Sequence, residues 1–165
     1  MDKQTTNHPI TQNRTQIDRK SDRELVVTRI FDAPTSIVFR AWSQPDLFRR
    51  WWVPEAAPML LLSCDMDVRT GGKYRLEFGV GEQTMAFHGS YLEVVPDSRI
   101  VWTNDESEGG AVTTVTFEDR AGSTLLTFHE IYPSKEALDE AMTGSAAGLP
   151  QQLDQLENLL STIAA

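Results

Sequence analysis

From about Pro58 to Ile131 the chain carries no helical period, and turn signals divide it into short runs rich in β-branched and aromatic residues. This stretch constrains the fold more than any other feature. Short strands joined by short connections pair with their sequence neighbours and build an antiparallel meander. Met59 to Val68 reads as one strand. In the next, Tyr74, Leu76 and Phe78 alternate with Lys73, Arg75 and Glu77 behind the Thr70-Gly71-Gly72 turn. Gly79 to Glu82 turns the chain into a long strand, Thr84 to Val95, which Pro96-Asp97 ends. Arg99 to Thr103 follows as a short strand, and the acidic segment Asn104 to Gly110 as a hairpin loop. Val112 to Glu118 and Thr124 to Ile131 form the closing hairpin.

The flanks of this meander are of another kind. Leu25 to Phe31 is a further strand, stopped at Asp32-Ala33-Pro34, and the proline opens a helix in which Ile37, Val38, Ala41 and Trp42 form an apolar stripe. Leu47, Phe48, Trp51 and Trp52 repeat that spacing in a second short helix before Pro54. At the other end Ser134 caps a helix through Ala137, Leu138 and Ala141. After a soft interruption at Gly144 to Gly148, Leu149, Leu153, Leu156, Leu160 and Ile163 step by four and three. Asp154, Glu157 and Asn158 fall on the opposite side of that helix, which is expected to face water while the leucines lie on the sheet. Residues 1–22 are polar and without period and read as a flexible tail, so the expected organisation is a tail at 1–22 and a single domain at 23–165.

A chain of 165 residues can bury a core without staples, and its 40% hydrophobic and 24% charged residues are those of a globular domain. The single cysteine, Cys64, excludes an internal disulfide or a multi-cysteine zinc site and points to a reducing cytoplasm. No apolar run is long enough for a membrane span or a signal peptide. The net charge of -9 divides into +2 over residues 1 to 23 and -11 beyond, which argues against nucleic acid and against an anionic membrane surface.

Five blocks carry a family resemblance: ELVVTRIFDAPTSIVFRAWSQPDLFRRWW, DVRTGGKYRLEF, FHGSYLEVVPDSRIVWT, YPSKEALDEAM and LDQLENLL. In this order they resemble the SRPBCC superfamily, and within it START-like bacterial homologues of the C-terminal domain of the heat-shock-protein ATPase activator. The resemblance runs from Arg23 to the end. It implies an α+β helix-grip fold, a curved antiparallel sheet wrapped around the terminal helix with two short helices after the first strand. It also implies a cavity between sheet and helix for a small hydrophobic ligand such as a lipid or polyketide. Relatives often pair as dimers, which makes a homodimer an expectation here. The eukaryotic co-chaperone carries a separate N-terminal domain that contributes much of its chaperone contact and that a 22-residue tail does not replace, so activation of a heat-shock ATPase is not expected here.

Candidate residues for the cavity follow from alternation within that frame. Tyr74, Leu76 and Phe78 turn inward, with Arg75 outward; Phe87 and Tyr91 share the aromatic face of their strand, and Trp102, Phe117 and Phe128 join them. Tyr74, Tyr91 and Trp102 combine apolar surface with a polar handle, although core packing is the plainer reading for each. Trp42 and Trp51 close one end from the short helices. One of the Trp51-Trp52 pair is expected to be buried and the other partly exposed. Leu149, Leu153 and Leu156 supply the helical wall. Alternation also turns Glu130 inward, where desolvation would raise its pKa and suit it to acid–base work; the favoured alternative is a strand end in water. His88 and His129 read as solvated strand residues in preference to acid–base groups or metal ligands.

No nucleophile elbow, zinc-protease helix, phosphate loop or dinucleotide fingerprint is present, and the acidic run Asp105-Glu106-Ser107-Glu108 lacks the spacing of a calcium loop. No metal or cofactor is expected, and the sequence leans away from an enzyme. The expectation is a cytoplasmic module that binds a small hydrophobic molecule. A cyclase- or hydrolase-type enzyme in the same cavity and a stress-response or co-chaperone-like interaction module are the alternatives.

Overall fold

A computed structural model describes residues 15–105 and 110–163. Eight antiparallel strands form one sheet: β1 Gln16–Arg19, β2 Glu24–Phe31, β3 Leu60–Met66, β4 Lys73–Val80, β5 Gln83–Val95, β6 Arg99–Thr103, β7 Val112–Arg120 and β8 Ser123–Ile131. Their spatial order is β1-β2-β8-β7-β6-β5-β4-β3. Apart from the β2–β8 pairing, every neighbour in the sheet is also a neighbour in sequence, the meander that short connections favour. Helices α1 (Thr35–Ser43) and α2 (Pro45–Phe48) follow β2, and α3 (Lys135–Thr143), a 3-10 turn Ser145–Gly148 and α4 (Leu149–Ile163) follow β8. This is the α+β helix-grip arrangement.

Period-two alternation sets the inner face. Leu25, Val27, Phe31, Val115, Phe117, Leu126 and Phe128 are buried from β2, β7 and β8, and Tyr74, Leu76, Phe78 and Tyr91 from β4 and β5. The leucine stripe of α4 meets them: Leu153 and Leu156 have no exposed surface and Leu149 only 4%. Ser134 caps α3 by accepting from the Ala137 backbone N–H at 3.1 Å.

Four features differ from the sequence expectation. Residues 16–19, within the expected tail, pair with β2 through backbone hydrogen bonds while all four side chains stay exposed, so no hydrophobic period marked them. Residues 1–14 of that tail lie outside the described residues, as do 106–109 of the hairpin loop. The second helix ends at Phe48, and Trp51 and Trp52 lie in the turns beyond it. On β2 the buried position between Val27 and Phe31 is Arg29, at 3% exposure, while Ile30 is 51% exposed. Finally, the acidic side of α4 does not face water alone. Asp154 and Glu157 accept from Arg29 at 2.6 and 2.8 Å, which anchors the helix to the sheet.

Candidate functional site

The site is built around Trp42. The α1 stripe turns this side chain onto the inner face, leaving it 2% exposed. Six aromatic rings lie within 6.4 Å of its own: Trp51 at 4.7 Å, Trp52 and Trp102 at 6.0 Å, Phe117 at 6.3 Å, and Phe48 and Phe128 at 6.4 Å. Most are edge-on or tilted, the arrangement ring quadrupoles favour. Trp51 is fully packed, and its Nε1–H donates to the Ala41 carbonyl at 3.0 Å. Trp52 is half-buried and stacks on Phe48 at 4.7 Å. The Trp42 Nε1–H is buried and has no acceptor among the described residues.

A polar line crosses the inner face at one end of the sheet. The Tyr74 hydroxyl donates to the Thr103 carbonyl at 2.6 Å and lies 3.4 Å from Asn104 Oδ1. Asn104 Nδ2 donates to the Ala111 carbonyl at 2.7 Å and to Thr113 Oγ1 at 3.2 Å. Thr113, fully buried, donates in turn to Glu130 Oε2 at 2.6 Å, and Tyr132 donates to Glu130 Oε1. Glu130 therefore follows the alternation and sits half-buried on the inner face, not at a strand end in water, because β7 places Thr113 directly opposite it. Burial, and next the Glu130 carboxylate, hold the Tyr132 phenol well above its ordinary pKa. Burial likewise raises Tyr91. Gly89 makes room for this line: a Cβ there would fall 2.0 Å from the Thr103 carbonyl oxygen and 2.9 Å from the Tyr74 ring.

The remaining candidates divide by burial. Leu76, Phe78, Tyr91, Phe117, Phe128, Leu149, Leu153 and Leu156 are packed into the core, while Phe87 and Trp102 are half-buried beside it. On β3 the inward Leu61, Cys64 and Met66 are half-buried as well. Burial pushes the Cys64 thiol up to about 11. Of the helices, α1 rests on β7 and β8 and α2 meets β3. The histidines lie on the other face: His129 Nε2 is 3.0 Å from Glu24 Oε1, and this hydrogen bond holds the Glu24 carboxyl below its ordinary pKa. His88 lines a surface concavity of about 420 Å3 with Asp65, Lys73, Tyr74, Arg75, Gly89, Ser90 and Asp105. Its charged rim does not suit an apolar ligand, so it is not the cavity the resemblance implies. No cluster of three or more His, Cys, Asp or Glu side chains suited to a metal occurs among the described residues. No described helix is long and apolar enough to cross a membrane.

Two parts of the site gave no signal in the sequence. Arg29 shares the alternation of Leu25, Val27 and Phe31, but nothing in the sequence names its two carboxylate partners on α4. Gln151, Gln152 and Gln155 look like solvated helix positions, yet all three bond the backbone of residues 51–56.

The fold is shared with known structures. A Rhodobacter sphaeroides protein superposes with a TM-score of 0.81 at 20% identity, covering 90% of this chain and 99% of that one. A Chromobacterium violaceum protein is 30% identical, with a TM-score of 0.69 over 82% of this chain and 96% of that one. The AHSA1-like protein from Aeromonas hydrophila gives 0.65 at 17% identity, over 83% and 92%. No curated protein matches the sequence. The family model described as "Activator of Hsp90 ATPase homolog 1-like protein" matches residues 32–161, from the end of β2 into the last turn of α4. With its helix-grip sheet and terminal helix, the chain belongs to this AHSA1-like family of the SRPBCC superfamily.

Proposed function

We propose that the protein is a START-like binding module that holds a neutral, largely apolar molecule bearing a hydrogen-bond acceptor on the concave face beside Trp42 and Trp102. The observation that carries this reading is the Trp42 Nε1–H, buried in a ring of aromatic side chains with no acceptor among the described residues. A buried donor left unpaired costs about 1–3 kcal/mol, which a ligand oxygen would recover. Charge argues for neutrality. The charge of Arg29, the buried cation of the inner face, is already balanced by Asp154 and Glu157, although its Nε, like Trp42 Nε1, has no acceptor among the described residues, and the Glu130 carboxylate on the same face disfavours an anion. The free thiol of Cys64 accords with a reducing cytoplasm as the place of action.

The test is a matched pair of neutral probes, 2-acetylnaphthalene and 2-ethylnaphthalene, titrated against the wild-type protein and Trp42→Phe. The wild type should bind the ketone more tightly by roughly threefold to tenfold, and Trp42→Phe should remove that preference while keeping affinity for the hydrocarbon. Binding of neither probe by the wild type would overturn the reading.

A second reading, an enzyme of the cyclase or hydrolase type, is favoured by one feature: Glu130 receives hydroxyl donors from Thr113 and Tyr132 on the inner face. A carboxyl so placed can exchange a proton with a bound molecule. Turnover of a bound ligand that Glu130→Gln abolishes without loss of binding would select this reading, and intact turnover in Glu130→Gln would remove it.

A further inference from the structure

We propose that the segment Val53–Met59 is a movable strap over the entrance to the concave face and that Gln155 is its latch; the inference rests on the binding reading above. This segment joins α2 to β3 and contains neither helix nor strand. Besides its own bond from the Ala57 N–H to the Pro54 carbonyl at 3.0 Å, its backbone is held by side-chain amides of α4. Gln155 donates to the Trp51 and Val53 carbonyls at 3.0 and 2.8 Å and accepts from the Glu55 N–H at 2.7 Å. Gln152 donates to the Trp52 carbonyl, and Gln151 accepts from the Ala56 N–H at 3.3 Å. Pro54 sits where Gly148 leaves space, since a Cβ at Gly148 would lie 3.0 Å from the proline Cγ. Glu55, Ala56 and Pro58 are exposed, and the apolar contribution comes from Val53 and Met59, which are half-buried against the core at the two ends of the segment.

Motion here has a consequence for Trp42. At 2% exposure its N–H meets a ligand only when a neighbouring group withdraws. Phe117, Phe128 and Trp102 belong to strands, and Trp51 is fully buried with its own N–H bonded to Ala41. Trp52 differs from them all. It is half-buried, outside any helix or strand, and at the root of the strap. Segments held by a few hydrogen bonds open at much lower free energy than the whole fold, and deleting the bonds raises the open population. Lifting Val53–Met59 would carry Trp52 away from Trp42 and uncover the inner side of β3.

The experiment combines hydrogen exchange with stopped-flow binding of N-phenyl-1-naphthylamine, a neutral apolar fluorophore, on the full chain. In Gln155→Ala, amides of residues 53–59 should exchange roughly tenfold faster or more while those of β7 and β8 stay protected. Association of the probe should accelerate by a similar factor while dissociation stays within about twofold, so that the Kd falls accordingly, because the complex needs the strap lifted. Gly148→Ala, which displaces Pro54 without touching the glutamines, should move both readouts in the same direction. Unchanged exchange in Gln155→Ala would show that this residue is not a latch. Faster strap exchange with unaltered probe kinetics would show that the strap is not the entrance, with binding itself intact. A wild type that does not bind the probe would overturn the binding reading and the strap's role together.

Discussion

The concave face is built in two ways. Across β2, β8 and β7 it is sealed: Leu25, Val27, Val115 and Leu126 have no exposed surface, and Leu153 and Leu156 of α4 are equally covered. On β3, and at Phe87 of β5 and Trp102 of β6, the inward residues are only half-buried, Leu61, Cys64 and Met66 among them, although Leu76 and Phe78 of the intervening β4 are buried; the chain next to β3 is a strap rather than a helix. The sealed side owes its completeness to helix placement. Arg29 draws α4 onto β2 through Asp154 and Glu157, and α1 rests on β7 and β8. One part of the inner face thus provides stability, and the other retains apolar surface that a ligand could cover.

The largest test of this contrast is a pair of truncations. Leu153→Ala should cost about 2–5 kcal/mol, whereas Met66→Ala should cost less than half as much, because its site is already partly open and leaves little cavity. Urea midpoints at unchanged slope would measure both, and equal losses would erase the distinction. Next in size is the chemistry of Cys64, whose raised pKa reflects partial burial on β3. Its folded value of about 11 against an ordinary 9.0 favours the thiol form. The associated stability is therefore complete below pH 9 and declines as pH rises toward 11. Alkylation by iodoacetamide at pH 8 should run about a hundredfold slower than for an unstructured cysteine, since only the thiolate reacts. A rate near that of a free thiol would mean that the β3 side is more open than half-burial indicates. Smallest is Arg29→Gln, with an expected loss of about 1–2 kcal/mol. Asp154 is 65% exposed and can turn to water when its partner is removed. A loss that vanished would show that leucine packing alone positions α4.

Much of the fold was legible in advance because it follows from short-range periodicity. The alternation in Tyr74-Arg75-Leu76-Glu77-Phe78 assigned the inner face of β4, and Leu126 and Phe128 did the same for β8. The three-four stepping of the α4 leucines named the residues that pack on the sheet. Residues 16–19 escaped notice because an edge strand can be held by its backbone alone. Trp51 and Trp52 imitated a helical stripe because both pack against Phe48 and Trp42, which aromatic rings can do from a turn. Within the candidate site, Tyr74 and Trp42 were legible as inward residues, whereas Glu130 was expected at a strand end in water although alternation turned it inward, and none of their hydrogen-bond states was legible. Nothing local distinguishes the bonded N–H of Trp51 from the unpaired N–H of Trp42.

By itself the sequence determined the inner faces of β4, β8, α1 and α4 and the antiparallel meander from β3 to β8, because hydrophobic period and turn chemistry act over a few residues. It also determined the family. The tertiary structure alone decided how the polar groups are satisfied. Arg29 finds its carboxylates 125 and 128 residues away, and Gln155 reaches backbone groups 100 to 104 residues away. A hydrogen bond requires its partner within about 3 Å and correctly oriented, a condition that exists only once distant segments have been brought together. The same condition leaves the Trp42 donor unpaired and makes the strap depend on three glutamines.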